Sequence, residues 1–242
     1  PTYLASDAAY LLDKLVLRGF DRAIYVWGAD HHGDVPRVRA AAQAMGLDSE
    51  RLVFILYQLV TLWQGGEEVR MSKRTGDFVT LRELLDTVGP DPIRFLLMAR
   101  TADVTVDFDL DLAKKTSDEN PVYYVQYAHA RICSVVEFAG QNGVAASGAD
   151  LSALEAAEEL DLIKGLADFD DTVKASALAL EPHRIVTYLM DLAARFHRFY
   201  HLHRVVVDDR RLASARLALC LATRSVLRSG LGLLGVSAPE SM

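Results

Sequence analysis

The spacing of apolar residues changes along the chain. In residues 6–18 apolar positions recur every three or four residues, which predicts an amphipathic helix. Uninterrupted apolar runs at 23–27 and 52–63 predict buried parallel strands, with a helix between them at 36–46. This order of helix, strand, helix and strand indicates part of a doubly wound α/β sheet.

Helical periodicity dominates the remainder of the chain. Short helices are predicted at 81–88 and 91–98, and an alternating pattern predicts an extended segment at 104–112. Further on, only helices are predicted: one at 123–140, two within 151–180, one at 182–207 and one at 208–234. We therefore predict a partial Rossmann-like α/β domain at 1–117, followed by an all-α helical-bundle domain at 118–242.

The composition is that of a globular protein in a reducing compartment. Of the 242 residues, 51% are hydrophobic and 24% are charged. No apolar run is long enough to cross a bilayer, so no membrane partner is expected. Cys133 and Cys220 lie far apart in apolar contexts, which argues against a disulfide framework. These features predict a cytoplasmic location.

Charge is distributed unevenly over the helical half. Residues 118–181 carry 3 basic and 12 acidic side chains, whereas residues 182–229 carry 9 basic and 3 acidic ones. The nine basic residues are Arg184, Arg195, Arg198, Arg204, Arg210, Arg211, Arg216, Arg224 and Arg228. Arginine suits the recognition of phosphates and bases, so nucleic acid is one interpretation. The alternative is that the basic helices pair with the acidic ones.

Polar side chains follow the first predicted strand. Asp30, His31 and His32 come directly after the apolar run, at the edge of the sheet where α/β proteins bind ligands. They either grip a nucleotide or cap the end of the strand. A zinc site is disfavoured, because neighbouring residues cannot all face one ion and no third ligand lies nearby.

Two other groups of residues resemble metal sites only superficially. Asp107, Asp109 and Asp111 have the spacing of a calcium loop, but Leu112 stands where such a loop needs glycine. We predict a strand here instead, with Phe108, Leu110 and Leu112 facing inward.

Three histidines alternate with aromatic residues in the helical half. His197 and His201 have the i, i+4 spacing found in zinc enzymes, but no glutamate follows the first histidine. A partly buried aromatic helix face including His203 is the favoured interpretation. Stacking of these rings on bases of an RNA loop is the alternative.

A basic, glycine-ended segment lies at residues 69–76. It contains Arg70, Lys73 and Arg74 around a Met-Ser pair, and Gly76 ends it. Such a loop can offer cations and N–H donors to a polyphosphate. A solvated surface loop is the alternative interpretation.

The ordered set of motifs resembles a known family. The matching stretches are PTYLASD at 1–7, WGADHHG at 27–33, RMSKR at 70–74, DFDLDL at 107–112 and NPVYYVQYAHAR at 120–131. Together they are similar to the C-terminal half of a bacterial-type arginyl-tRNA synthetase, a class I enzyme. Asp91-Pro92-Ile93-Arg94 resembles the element after which the anticodon-binding DALR domain of that family is named.

The resemblance implies substrate-binding roles for several residues. Those implied to hold L-arginine are Tyr3, Asp7 and His31, with Asp7 facing the guanidinium. Those implied to contact ATP are Gly28, Asp30, His32, Met71 and Lys73. The implied catalytic residues are Lys73, Arg70 and Ser72, where Lys73 stabilises the pyrophosphate leaving group. From spacing alone, Tyr3 and Asp7 could together bind a cationic side chain, but an N-cap of the helix at Ser6 or Asp7 is the favoured interpretation.

The resemblance also implies partners and a reaction. It implies arginine–tRNA ligase activity in translation, with ATP as a substrate, Mg²⁺ accompanying ATP and no permanently bound cofactor. The helical domain would bind arginine tRNA, through Arg195, Arg198, Arg204, Arg224, Arg228 and Tyr127. No metal ligands are expected, and the full-length enzyme is expected to be a monomer.

One motif of the family has no counterpart here. The family binds the ATP phosphates with a His-x-Gly-His motif, which occurs nowhere in this sequence. We therefore expect the chain to be a C-terminal fragment that is inactive alone. The alternative is a stand-alone module that binds the tRNA anticodon without catalysis.

Overall fold

The computed structural model describes residues 3–69 and 79–242, without the side chain of Tyr3. The chain forms two compact units. The first comprises Pro1–Thr61 and Thr101–Asp107, and the second comprises Leu62–Arg100 and Phe108–Met242. The compact units divide the chain at positions other than residue 118, and the domain boundary there remains a prediction.

The first unit is built on two parallel strands and two helices. Its elements are α1 (Tyr3–Leu12), continued by a π-helix (Asp13–Leu17), β1 (Ala23–Gly28), a 3₁₀ helix (Ala29–Asp34), α2 (Val35–Ala44), a 3₁₀ turn (Ser49–Arg51) and β2 (Leu52–Tyr57). β1 and β2 pair in parallel, with Ala23 opposite Leu52 and Gly28 opposite Tyr57. The predicted order of elements is present, but a doubly wound sheet remains a prediction. The first helix begins at Tyr3, so the predicted N-cap position of Asp7 was wrong.

Alternation along β1 separates a covered face from an exposed one. Ala23 and Tyr25 are 4% and 5% exposed, whereas Ile24 and Val26 are 43% and 60% exposed. The covered face packs on apolar residues of both helices, including Leu11 and Val38 of α1 and α2. Successive residues of a strand point to opposite faces, so this pattern means that one face of the pair is uncovered within the described residues.

The long apolar run at 52–63 forms two strands where one was predicted. β2 ends at Tyr57, and β3 (Val60–Gln64) belongs to a second sheet with the order β4-β3-β5. At the break, the backbone N–H of Gln58 donates to the carbonyl of Ala102 over 2.9 Å. This contact links residues distant in sequence, so a continuous apolar run gave no indication of it.

The second sheet has short strands and leads into a helix. β4 (Glu67–Glu68) is antiparallel to β3, and β5 (Val106–Asp109) is followed by α5 (Leu110–Lys114). The carboxylate of Asp109 accepts from the backbone N–H of Asp111 and Leu112 and so caps α5. Phe108 and Leu110 are buried as predicted, but the extended segment ends earlier than predicted and Leu112 is only half-buried.

Besides α5, the described part of the second unit contains seven α-helices. They are α3 (Leu81–Val88), α4 (Pro90–Met98), α6 (Pro121–Gln141), α7 (Ala157–Ala167), α8 (Phe169–Ala179), α9 (His183–Leu202) and α10 (Arg210–Leu233). The predicted helical composition after residue 118 is confirmed. No helix within residues 3–69 or 79–242 is both long and apolar enough to cross a membrane.

Helices α4 and α6 to α10 share one hydrophobic core, and a separate, smaller cluster includes Leu84 of α3 and Ala113 of α5. Buried residues of α9 recur at helical spacing, and Leu189, Leu192, Phe196 and Phe199 are all 0% exposed. At Gly230 of α10, a Cβ atom would lie 2.6 Å from a methyl carbon of Leu189, so glycine permits close packing there.

Candidate functional site

A cavity of about 550 Å³ lies in the first unit beside the carboxyl end of β1. Its walls combine apolar residues with charged ones from α1, the 3₁₀ helix and α2: Leu4, Asp7, Trp27, His31, Asp34, Arg37 and Val38. Ligands of parallel α/β sheets bind beyond the carboxyl ends of strands. The structure therefore places Asp7 and His31, which are 24 positions apart in sequence, in one ligand-sized cavity.

The two carboxylates of the cavity differ in their partners. Asp34 accepts from Arg37 Nη1 over 2.8 Å and from His31 Nδ1 over 3.3 Å. Asp7 forms no hydrogen bond or ion pair with any described residue. Burial, together with the negative charge of Asp7, raises the pKa of Tyr25 to about 12. Asp7 is therefore the carboxylate whose hydrogen-bonding capacity remains for a cationic ligand.

The described residues that are predicted to contact ATP lie at the end of β1 and on the turn that follows it. Gly28 ends β1, and Asp30 and His32 lie on the 3₁₀ helix that follows, both exposed. His32 Nδ1 is 3.1 Å from the carbonyl oxygen of Ala29, which holds the imidazole on its own turn. A Cβ atom at Gly28 would lie only 2.5 Å from Asp30 Oδ1, so a side chain there would displace the carboxylate. The turn adjoins the cavity, but neither Asp30 nor His32 lines it.

The predicted basic loop cannot be placed. Arg70, Met71, Ser72 and Lys73 lie outside the described residues, as does the side chain of Tyr3. Their implied roles in catalysis and in binding ATP and arginine remain predictions.

The second unit carries a row of half-buried rings on α6 and α9, together with one guanidinium. We call it the aromatic surface: Tyr123, Tyr127, Arg131, His197 and Tyr200. The rings of Tyr123 and Tyr127 are nearly parallel with centroids 6.2 Å apart, and those of Tyr127 and His197 are 5.9 Å apart. The guanidinium carbon of Arg131 lies 5.0 Å from the ring of Tyr127 and 5.3 Å from that of Tyr200, within range of cation–π attraction.

His197 is held neutral within this surface. Burial lowers its pKa most, and the charge of Arg131 lowers the pKa further, while a hydrogen bond to the carbonyl of Tyr124 opposes both effects. The ring therefore stacks as an uncharged imidazole at neutral pH, and Arg131 supplies the cation of the surface. Aromatic rings beside arginine are a common arrangement for holding unstacked RNA bases.

The nine arginines of residues 182–229 differ in whether they form polar contacts with the described residues. Four are ion-paired to carboxylates: Arg184 to Glu181, Arg195 to Asp161 and Asp191, Arg211 to Asp150 and Arg216 to Glu159. Arg210 donates to the carbonyl of Asn142 over 2.8 Å. The other four form no side-chain hydrogen bond or ion pair with the described residues: Arg198, Arg204, Arg224 and Arg228. Pairing with acidic helices therefore accounts for part of the set.

Arg195 differs from the other arginines predicted to bind tRNA. Its guanidinium donates to the side chains of Asp161 and Asp191, and the same charges help to raise its pKa. It also donates to the carbonyl of Asp161 over 3.1 Å. These bonds join α7 to α9, so the structure gives Arg195 a packing role, and its contact with tRNA remains a prediction.

The three histidines of the helical half do not form one group. His203 Nε2 lies 2.9 Å from Glu158 Oε2, whereas His201 is exposed. Only His197 takes part in the aromatic surface. Within the described ranges no group of histidine, cysteine and acidic residues is arranged to hold a metal ion.

Comparisons with known proteins identify what the chain resembles. A profile of the DALR anticodon binding domain matches residues 125–242. Over 100% of its length the chain is 51% identical to an arginine–tRNA ligase of Desulfitobacterium hafniense and 54% identical to one of an Azoarcus species. It is homologous to the C-terminal part of the arginyl-tRNA synthetases. The chain spans only 44% and 41% of the length of these two synthetases.

The fold agrees with a solved synthetase structure. The chain superimposes on Thermus thermophilus arginyl-tRNA synthetase with a TM-score of 0.81 at 25% identity, covering 100% of this chain and 49% of that one. The resemblance to the C-terminal half of an arginyl-tRNA synthetase, inferred from the motifs, is thereby confirmed.

Sequence reasoning overlooked several residues of both regions. Trp27, Asp34 and Arg37 line the cavity, and Arg131 lies in the aromatic surface. Local spacing could have indicated two of them. Asp34 lies three positions after His31, and Arg131 lies four positions after Tyr127, which are the separations at which helical side chains meet.

Proposed function

We propose that this chain is the C-terminal part of an arginine–tRNA ligase that joins L-arginine to arginine tRNA at the expense of ATP. In this reaction the carboxylate of arginine attacks the α-phosphate of ATP and pyrophosphate leaves. A hydroxyl of the terminal ribose of the tRNA then takes the arginyl group, and AMP is released. The observation that carries the proposal is the cavity with Asp7 and His31, in a chain homologous along its whole length to arginine–tRNA ligases.

The cavity suits a cationic amino acid. Asp7 is the carboxylate without a partner among the described residues, and a guanidinium can donate two parallel hydrogen bonds to a carboxylate. Trp27 and Leu4 offer apolar surface for the methylene groups of arginine. Arg37 is neutralised by Asp34, so it does not repel a second guanidinium as a free charge would.

ATP would approach the turn that follows β1. We propose that Gly28, Asp30 and His32 contact the nucleotide, with Mg²⁺ accompanying its phosphates. The close contact that a Cβ atom at Gly28 would make with Asp30 supports a requirement for glycine at the end of the strand. Lys73, Arg70, Ser72 and Met71 would complete the ATP site from the basic loop, which neutralises charge as pyrophosphate leaves.

The aromatic surface would bind bases of the anticodon loop. Tyr127 and His197 provide ring faces for stacking, and Arg131 provides a fixed cation. Arg198, Arg204, Arg224 and Arg228 would attract the phosphate backbone, because no carboxylate of the described residues forms an ion pair with them. The tRNA-binding part of the proposal thus rests on half-buried rings and on arginines that are not ion-paired within the described residues.

Binding of tRNA tests this part of the proposal. We expect the chain to bind arginine tRNA in a fluorescence anisotropy titration, with an affinity that falls as salt rises. Tyr127→Ala removes one stacking face worth about 1–3 kcal/mol, so it should weaken binding by at least about fivefold. Phe138→Ala is the matched control, because Phe138 lies on the same helix, is 55% exposed and is not part of the aromatic surface. Equal affinities for both variants would contradict the assignment.

A stand-alone anticodon-binding module is the second candidate, favoured by the match of the DALR anticodon binding domain to residues 125–242. The cavity distinguishes the two candidates. If the chain is part of a ligase, L-arginine should shift the indole N–H resonance of Trp27, and Asp7→Asn should remove the shift. Asp13→Asn is the matched control, since Asp13 pairs with Arg18 and does not line the cavity. A Trp27 resonance that ignores arginine would favour the module.

Catalysis by the chain alone is not expected. The sequence has no His-x-Gly-His motif to bind the ATP phosphates, so arginine-dependent exchange of pyrophosphate into ATP should be undetectable. Robust exchange at stoichiometric protein would overturn the view that the chain holds only part of the active site.

A further inference from the structure

Asp34 is placed to control the imidazole of His31. It lies at the end of the 3₁₀ helix that carries His31, three residues further along the chain. One carboxylate oxygen, Oδ2, is 3.3 Å from His31 Nδ1, and the other, Oδ1, accepts from Arg37 Nη1 over 2.8 Å. Both oxygens are therefore engaged, and the carboxylate is held between a guanidinium and an imidazole.

These contacts keep Asp34 ionised. The hydrogen bond with His31 lowers the pKa of Asp34 most, and the hydrogen bond and charge of Arg37 lower the pKa further. An ionised carboxylate can only accept hydrogen bonds. The proton between the two groups must therefore reside on His31 Nδ1.

The second nitrogen of the ring is left as an acceptor. In a neutral imidazole only one nitrogen carries hydrogen, so a protonated Nδ1 leaves a lone pair on Nε2. The nearest carboxylate to Nε2 is that of Asp30, whose Oδ2 is 3.8 Å away, beyond hydrogen-bonding distance. Nε2 of His31 can therefore accept from an N–H donor of a ligand in the cavity that His31 lines.

We propose that Asp34 is a positioning residue that fixes His31 as the Nδ1–H tautomer, so that Nε2 accepts a hydrogen bond from an N–H group of a cationic amino-acid substrate. The identity of the ligand rests on the proposed function, whereas the tautomer does not. The opposite tautomer would direct Nε2–H at the ammonium or guanidinium of the substrate, and two donors would then face each other. Asp34 thus favours a cationic ligand through its effect on His31.

The tautomer can be observed directly in the chain. Long-range ¹H–¹⁵N correlation spectra of the histidine rings distinguish a protonated Nδ1 from a protonated Nε2. At a pH of about 8, where an ordinary histidine is neutral, His31 should be the Nδ1–H tautomer. An imidazole in water prefers the Nε2–H form, so this result is not expected for a histidine without a directing partner.

Substitutions distinguish the effect of Asp34 on the tautomer of His31 from the effects of neighbouring residues. Asp34→Asn should convert His31 to the Nε2–H tautomer, because the amide can donate to Nδ1. Asp30→Asn and Arg37→Gln should leave the Nδ1–H tautomer unchanged, since neither removes the carboxylate that faces Nδ1. His32 serves as an internal reference, as its Nδ1 faces the carbonyl of Ala29. An Nε2–H tautomer of His31 in the unmodified chain, or an unchanged tautomer in Asp34→Asn, would overturn the proposal.

Titration with L-arginine tests the role in binding. Shifts of the Trp27 indole resonance should yield an affinity about tenfold weaker for Asp34→Asn than for Asp13→Asn, because one hydrogen bond to a charged group is lost. Equal affinities would overturn the positioning role. If arginine produces no shift in the unmodified chain while His31 is the Nδ1–H tautomer, the effect of Asp34 on the ring stands. The substrate part of the inference and the proposed arginine site then fail.

Discussion

The two compact units differ in how completely they cover their apolar residues. In the helical unit, α9 places Phe196 and Phe199 in the core at 0% exposure. In the first unit, Val26 in the middle of β1 is 60% exposed, although parallel strands are usually covered on both faces. The helical unit therefore has a fully buried core, whereas β1 of the first unit has one covered and one uncovered face within the described residues. Stability and self-association should thus respond differently to substitution in the two units.

The largest expected effect is a loss of stability on substitution in the buried core of the helical unit. Arg216 Nε donates to Glu159 Oε1 over 2.6 Å, and the glutamate side chain is 1% exposed. Arg216→Ala would leave that carboxylate buried without its partner, which costs about 3–5 kcal/mol of unfolding free energy. Urea unfolding followed by circular dichroism measures the loss. Arg228→Ala, which removes an exposed arginine of the same helix, should change stability by less than about 0.5 kcal/mol. Similar values for both variants would contradict the view that Arg216 stabilises the core.

The two faces of the first unit should respond in opposite ways. Leu11→Ala removes a fully buried side chain and should cost about 2–5 kcal/mol. Val26→Thr on the uncovered face should cost less than about 0.5 kcal/mol and should reduce self-association, because an exposed apolar patch becomes more polar. Urea unfolding and static light scattering measure the two quantities. A large loss of stability in Val26→Thr would mean that this face is covered after all.

A smaller effect concerns acid and the helical unit. The pKa of His197 is lowered in the folded chain, mainly by burial, so the unfolded chain binds the proton more readily. The stabilisation is complete above the unfolded pKa of about 6.5 and is lost as pH falls below it. His197→Phe should therefore lose less stability between pH 7 and pH 5 than the unmodified chain.

Thermal unfolding at these two pH values is the appropriate measurement. His201→Phe is the control, because His201 is exposed on the same helix. Glu158 and Asp150 also have lowered pKa values, but they contribute at pH values below the unfolded carboxyl range of about 4. An identical loss in all three proteins would exclude His197 as the source.

The sequence predicted most of the helical unit because its information is local. Apolar positions of α9 recur at helical spacing, and motifs such as NPVYYVQYAHAR lie within single helices. The division of the apolar run at 52–63 was not predictable in this way. The hydrogen bond between the backbones of Gln58 and Ala102 joins segments far apart in sequence, so the hydrophobic pattern could not predict it.

The candidate site was predictable only in part for a related reason. Asp7 and His31 were identified through the resemblance, and the structure brings them to one cavity. That Asp7 lacks a partner among the described residues, while Asp34 is bound on both oxygens, follows only from three-dimensional contacts. Likewise, the bond between Arg195 and Asp161 spans 34 positions, so the charge pattern alone could not separate paired arginines from exposed ones.

The central claim is that one chain carries two substrate-binding regions, the cavity in the first unit and the aromatic surface in the helical unit. The most direct test is a set of ¹H–¹⁵N spectra of the labelled chain, recorded with L-arginine and then with the anticodon stem-loop of arginine tRNA. The account predicts that arginine shifts the indole resonance of Trp27 and leaves the ring resonances of His197 unchanged. It predicts that the RNA shifts the ring resonances of His197 and leaves the indole resonance of Trp27 unchanged. Shifts of His197 by arginine, or no response of His197 to the RNA, would contradict it.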